Sequence, residues 1–204
     1  MTYTTQAIVL GYRVYREYDQ IYRAYTEDFG KLYLIARGAN KITSKLAGHL
    51  EPCAFSNLMI ADGRGPEVLA QARTRISSIL IWQDSQKATA ALLMLEVLDT
   101  LTHTHEKDIR VFRLLVLGFM RLQSSKDVDY VVFIHHYLLH LLVYLGHAPD
   151  IKHKRKLHPL LVADIGQDGI MMDDDARVLI VEYAQSALGE KQFLNFYAQA
   201  FRKG

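Results

Sequence analysis

The chain has 204 residues, half of them hydrophobic and 23% charged, with a formal net charge of +2. That is ordinary globular composition, long enough for one or two domains with real cores. No apolar run reaches the roughly 18 residues of a membrane span, and the opening Met1-Thr2-Tyr3-Thr4-Thr5 lacks the charged-then-apolar pattern of an export signal, so a soluble, unexported protein is expected. Cys53 is the single cysteine, which excludes an internal disulfide and a multi-cysteine zinc site. Residues 1–80 carry ten Lys/Arg against seven Asp/Glu, and residues 81–204 carry fourteen against fifteen, so the modest basic surplus sits in the first part of the chain.

Residues 6–79 read as short strands between turns. Residues 6–13 and 20–26 alternate; residues 28–31 turn; Leu32, Leu34 and Ala36 alternate with Tyr33, Ile35 and Arg37; residues 55–61 continue and residues 62–66 turn again. Residues 68–79 close the set, with Val68, Ala70, Ala72 and Ile76 facing in and Gln71, Arg73 and Arg75 facing out. Five strands in about 75 residues is the size of an OB-fold, and of an SH3-like barrel too; periodicity does not choose between them.

From Lys87 onward the period turns helical. Helices are expected over residues 87–102, over 109–122 with Asp108 as cap, and over 127–145, ended by Gly146 and Pro149. Then come the basic run Lys152-His153-Lys154-Arg155-Lys156, an expected hairpin insertion within residues 157–172, and helices over 173–188 and 191–202.

The densest chemical signal is Arg37, Lys41 and Lys45, three cations in nine residues with no acid among them, set around Gly38 and the hydroxyls of Thr43 and Ser44. Such a loop suits a phosphate backbone. Tyr15-Arg16-Glu17-Tyr18-Asp19, then Thr26-Glu27-Asp28-Phe29-Gly30-Lys31, then Gly38-Ala39-Asn40-Lys41-Ile42-Thr43-Ser44-Lys45-Leu46 resemble, in order and spacing, the start of the bacterial RecO recombination mediators. The segment from Tyr137 to Asp150 resembles the L-L-x-L-L-x-x-L-G-x-x-P-D run that closes the central helical domain of that family.

The resemblance implies an α+β chain: a five-stranded OB-fold DNA-binding domain over residues 1–80, followed by a helical domain over residues 81–204. In many family members a four-cysteine zinc module follows, and a single cysteine leaves this sequence without one. It further implies a protein without catalysis or cofactor, cytoplasmic and associated with the nucleoid. Such a protein binds single- and double-stranded DNA, anneals complementary strands, pairs with RecR and helps load RecA onto DNA coated by single-strand-binding protein. On this reading Arg37, Lys41 and Lys45 contact DNA, Tyr33 stacks beside them, and Arg73 and Arg75 extend the basic path along one strand. Two other readings share the sequence: an RNA-binding OB-fold protein, and an adaptor whose barrel binds DNA weakly.

In the second helix, about 100° per residue places Val111, Phe112, Leu115, Phe119 and Leu122 on one face and Arg110, Arg113, Leu114, Leu117 and Arg121 on the other. Three guanidiniums among leucines suit a peptide ending in acids and an apolar residue, such as the C-terminal tail of single-strand-binding protein. Seven of the twelve tyrosines fall in the first 33 residues, where strand packing accounts for most of them. His136 and His140 have the spacing of two ligands on one helical face but no following Glu, so they read as packing or surface histidines, as do His147, His153 and His158. Asp173-Asp174-Asp175 reads as a helix cap. No catalytic triad order, phosphate-binding glycine loop or dinucleotide fingerprint occurs, and no metal site is expected.

Overall fold

The computed structural model describes residues 1–61, 66–124, 128–147, 149, 151–165, 167 and 169–188. The chain divides into two compact units. The first comprises Met1–Leu80 and Thr102–Phe112; the second comprises Ile81–Leu101 and the chain from Arg113 onward. Residues 102–112, assigned to the helical domain from the sequence, therefore go with the strands.

Five strands, β1 (Thr2–Val14), β2 (Gln20–Thr26), β3 (Gly30–Ala36), β4 (Phe55–Ala61) and β5 (Val68–Ile76), close into a barrel in the order β1-β2-β3-β5-β4. Every pairing is antiparallel except β3 with β5, which meet at Ile35 and Val68. This is the OB-fold. Its interior is filled by alternate residues, among them Val9, Tyr22, Leu32, Leu34, Leu58, Ile60 and Leu69. Burying side chains of this size contributes about 1.5–3 kcal/mol each. β1 is longer than its alternating stretch: it begins at Thr2, because residues 2–8 pair with β4 while residues 7–14 pair with β2.

On β5 the inward residues are Leu69 and Ala72, not Val68 and Ala70. The register shifts between Met59 and Ile60, whose partners are Gln71 and Leu69, so Ala70 is an extra residue and the alternation slips by one. Arg73 and Arg75, beyond the bulge, face solvent.

The segment Thr102–Phe112 lies along the outer side of the strands. Lys31 bridges to Thr104, and the His105 amide donates to the Lys31 carbonyl at 3.0 Å. Gly30 permits this approach: its φ is +68°, and a Cβ there would stand 2.0 Å from the Glu106 carbonyl oxygen. Tyr25 is buried beneath the segment, and burial pushes its phenol up to about 12, with the negative charge of Asp108 adding to the effect.

The second unit is built on helices: α1 (Ile79–Trp82), α2 (Ser85–Leu101), α3 (Ile109–Ser124), α4 (Tyr130–Tyr144), α5 (Ile151–Val162) and α6 (Asp174–Leu188). α1 begins two residues before the unit, and α3 enters it at Arg113. α4 is the centre, buried continuously from Phe133 to Leu142, and it packs against α2, α5 and α6. Gly118 lets α3 close on Met94 of α2 and Phe133 of α4. Four of these starts are marked by an aspartate. Asp84, Asp108, Asp129 and Asp173 accept backbone N–H bonds from the first turns of α2, α3, α4 and α6, each substitutable by Ala at about 1 kcal/mol. The third expected helix thus starts after Asp129; Asp127 lies outside the described residues. It ends in a Schellman motif, in which the Gly146 and His147 amides donate to the carbonyls of Val143 and Leu142, with Gly146 at φ +91°.

The hairpin expected within residues 157–172 is not there. Residues up to Val162 continue α5 through Pro159, and no strand occurs among the described residues that follow. Leu157 and Leu160, three apart, form its buried face. The basic run from Lys152 lies in this helix, and Lys156 pairs with Asp173 and Asp175. The helix expected over residues 191–202 lies outside the described residues. No described helix is long and apolar enough to cross a membrane.

Candidate nucleic-acid interface

The basic loop follows β3 and turns tightly. Gly38 at φ +65° supplies the left-handed position, and the amides of Lys41 and Ser44 donate to the carbonyls of Gly38 and Lys41. Arg37, Lys41 and Lys45 are all exposed. At its far end Ser44 Oγ accepts the amides of Leu46 and Ala47, opening the 3-10 turn Ala47–His49, and His49 Nδ1 meets Thr74 Oγ1 on β5 at 2.9 Å. Thr74 stands between Arg73 and Arg75.

The sequence did not reveal what holds the near end. Gly38 N–H donates to Asp19 Oδ1 at 2.9 Å, Asn40 N–H donates to the Tyr18 carbonyl at 3.0 Å, and Asn40 Nδ2 donates to the Glu17 carbonyl at 3.2 Å. The loop is thereby docked on the turn between β1 and β2. Lys41 Nζ lies 5.1 Å from the centre of the Tyr18 ring, and the Arg16 guanidinium lies 5.0 Å from that of Tyr15. Cations over exposed aromatic faces are the pairing that single-strand platforms use. Of the seven early tyrosines, Tyr22 and Tyr25 are core, whereas Tyr12, Tyr15, Tyr18 and Tyr33 are exposed. The density of tyrosines near residues 12–18 was the available signal, and strand packing accounts for only part of it.

Tyr33, 43% exposed, faces outward from β3, where its cross-strand partner is Arg23. Arg23 is in turn paired with Gly11, whose missing side chain leaves room for the guanidinium: a Cβ on Gly11 would stand 2.9 Å from Arg23 Nη2. The outer face of β2 and β3 therefore carries Tyr33 and Arg23 in one row.

On α3, Val111, Phe112, Leu115, Phe119 and Leu122 are buried as the helical spacing requires; Leu114, placed on the outer face from the sequence, is buried too. That apolar stripe is wider than a half-turn count suggests. Arg113 and Leu117 are exposed and Arg121 is half-buried, with Met120 exposed beside them. Arg110 is engaged by its own cap: Nε and Nη2 donate to the two oxygens of Asp108, which holds that carboxyl below its usual range.

His136 and His140 are buried, with their Nε2 atoms 2.9 Å apart and 2.7 and 3.1 Å from the Leu160 carbonyl. Between them they supply an N–H to a carbonyl at the end of α5 that helix termination leaves without a partner. No three His, Cys, Asp or Glu side chains among the described residues are placed to hold a metal ion. His158 is exposed, and Asp173 acts as the α6 cap. The Cys53 thiol is buried and pushed upward by that burial, which keeps it protonated and unreactive.

Residues 1–77 match the family Recombination protein O N terminal, and residues 83–157 match Recombination protein O C terminal. The chain belongs to the RecO family. It is 32% identical over 155 residues to the DNA repair protein RecO of Nocardioides sp., covering 75% of this chain and 63% of that one. Against the proteins of the same name from Roseiflexus sp. and Heliobacterium modesticaldum it is 30% and 32% identical over 149 residues, covering 73% of this chain and 52% and 53% of theirs. The chain thus spans roughly half to two thirds of the length of these curated relatives. The docked loop and turn lie inside the N-terminal RecO match, and α4 with its Schellman end lies inside the C-terminal one.

Proposed function

We propose that this RecO-family chain is a non-catalytic DNA-binding mediator of recombinational repair. It binds single- and double-stranded DNA on its barrel, anneals complementary strands, and assists RecA loading together with RecR. The observation that carries this reading is the loop bearing Arg37, Lys41 and Lys45 docked on the aromatic turn Tyr15–Asp19. Exposed cations at fixed positions neutralise phosphates, and the counterions they release supply much of the binding free energy. Two strands held on one cationic surface repel each other less, which favours their pairing. Membership of the RecO family supports the place of this activity in repair, at the bacterial nucleoid.

The face of α3 with Arg113, Leu117 and Arg121 is proposed to receive the acidic C-terminal tail of single-strand-binding protein. Arg110 contributes less than the exposed Arg113, since Asp108 already occupies its guanidinium.

The direct test replaces Arg37, Lys41 and Lys45 together by Ala and measures binding to single-stranded DNA across a salt series. Loss of three phosphate contacts is expected to flatten the slope of log affinity against log salt by about 2 to 3 units. An unchanged slope would falsify the assignment. Matched DNA and RNA strands in the same assay separate this reading from an RNA-binding protein, which would prefer RNA through its 2′-hydroxyls.

A further inference from the structure

Away from the basic loop, the barrel unit holds a cleft of about 520 Å³ with an unusual lining: the rings of Tyr3, Phe29 and Tyr33, the carboxylate of Glu67, and His105. Tyr3 and Phe29 pack together with ring centres 4.5 Å apart and planes at 53°, forming an aromatic corner. Glu67 is fixed from two directions. Its backbone carbonyl accepts the Ile35 amide at 2.9 Å, and its Oε1 accepts the Tyr3 hydroxyl. Its Oε2 lies 4.0 Å from His105 Nε2. The side chain is thus an oriented acceptor, with open lone pairs on both oxygens, set among aromatic faces.

This arrangement rejects a phosphate, which the carboxylate repels, and accepts a flat group that brings N–H donors. Tyr33 joins the cleft to the row that carries Arg23, whose Cβ as a direct cross-strand partner is about 5 Å away. We propose that the cleft seats one unpaired base of the bound strand, stacked against Tyr33 and Phe29, and that Glu67 makes it favour guanine. Guanine alone presents adjacent N1–H and N2–H donors that match two carboxylate oxygens. Thymine places a single N–H between two carbonyls, which the carboxylate repels. The inference rests on the DNA-binding reading above and adds a base preference to it.

The test uses the full chain and oligothymidylates of about 15 nucleotides, within the range one OB barrel covers, carrying one central dG or none. The dG strand is expected to bind about five- to tenfold more tightly. Glu67→Gln, which keeps shape and the Tyr3 bond but removes the charge, is expected to abolish that difference while leaving the salt slope unchanged. Tyr33→Ala, at an exposed position, is expected to weaken both strands. Equal binding of the two strands by the unaltered protein, or a guanine preference that survives Glu67→Gln, overturns the pocket while the DNA-binding reading stands. Failure to bind either strand overturns both. Displacement of the dG strand's preference by arginine amide and not by deoxyguanosine monophosphate would make the cleft a cage for protein cations, and the proposal would fall.

Discussion

The carboxylate of Asp19 accepts the backbone amide of Gly38 across nineteen residues of chain, and this bond seats the basic loop on the tyrosine-bearing turn. It carries no positive charge to DNA, so its role is separable from that of the lysines. Asp19→Ala is expected to lower DNA affinity several-fold by letting the loop wander, with the salt slope unchanged because no phosphate contact is removed. Removal of the acid also raises net positive charge, which by itself would strengthen binding. Weaker binding despite that gain is therefore the diagnostic result in a salt-series titration, and tighter binding would show that the loop needs no seat.

The buried histidines make stability depend on pH. With Nε2 atoms 2.9 Å apart, one nitrogen carries the hydrogen and the other a lone pair, and a second proton would set two donors face to face. Burial chiefly, and His140 next, pull His136 down to about 4; burial likewise lowers His140 and His135, against an opposing pull on the pair from hydrogen bonds to the Leu160 and Ala163 backbone and then from Asp164. The folded values lie below the unfolded ones, so the unfolded chain takes up protons first as the pH falls. Stability is complete above about 6.5 and is lost between there and about 4, by roughly 2 to 3 kcal/mol for His136 alone. Urea unfolding at pH 8, 6.5 and 5 should show the loss, and His136→Asn should shrink it; a flat profile in the unaltered protein would contradict the buried neutral pair.

Two glycines should behave oppositely. Gly30→Ala puts a Cβ 2.0 Å from a backbone carbonyl at a φ of +68°, where nothing flexible can yield, and is expected to cost about 3 kcal/mol or more. Gly48→Ala, in the 3-10 turn, meets nothing within 4 Å and is expected to be neutral or to stabilise by about 0.5 kcal/mol. Thermal unfolding of the pair decides it; similar melting temperatures would mean that the segment over Gly30 is not held as described.

On α3, Arg113→Glu with Leu117→Asp is expected to weaken a fluorescent peptide ending in acidic residues and a C-terminal apolar residue by about tenfold or more, since both the charge and the apolar contact are reversed. Both side chains are exposed, so folding should survive. Naked-DNA affinity should stay within about twofold. Undiminished peptide binding would move the partner surface off this helix.

How much could be read from the chain beforehand follows from the range of the interactions concerned. Leu32, Leu34 and Ala36 announced β3 because their alternation is local, and the caps at Asp108 and Asp173 were legible because a cap acts within three residues, whereas those at Asp84 and Asp129 were passed over. The bulge at Ala70 was not legible, since it is a relation between two strands. A hairpin was expected in place of the end of α5 because the apolar runs from Leu160 and up to Met172 flank glycines at 166 and 169, whereas the partners that complete the helix's final turn, His136 and His140, come from another helix. The loop cations showed themselves by charge density. Asp19, which seats them, and Glu67, which faces Tyr3 from 64 residues away, did not.

The unit that contains the barrel is interrupted in sequence by α2, because Thr102–Phe112 returns to cover Tyr25 and Lys31. On a ribosome adding about 5–20 residues per second, that cover is made roughly 2 to 6 seconds after β5. During the interval the outer side of β2 and β3 is bare, presenting a buried tyrosine, a buried lysine and the unanswered carbonyl of Lys31 to whatever the nascent chain meets. A fragment cut after Leu80 makes that interval permanent, so it should be the aggregation-prone form of a barrel whose five strands are all present.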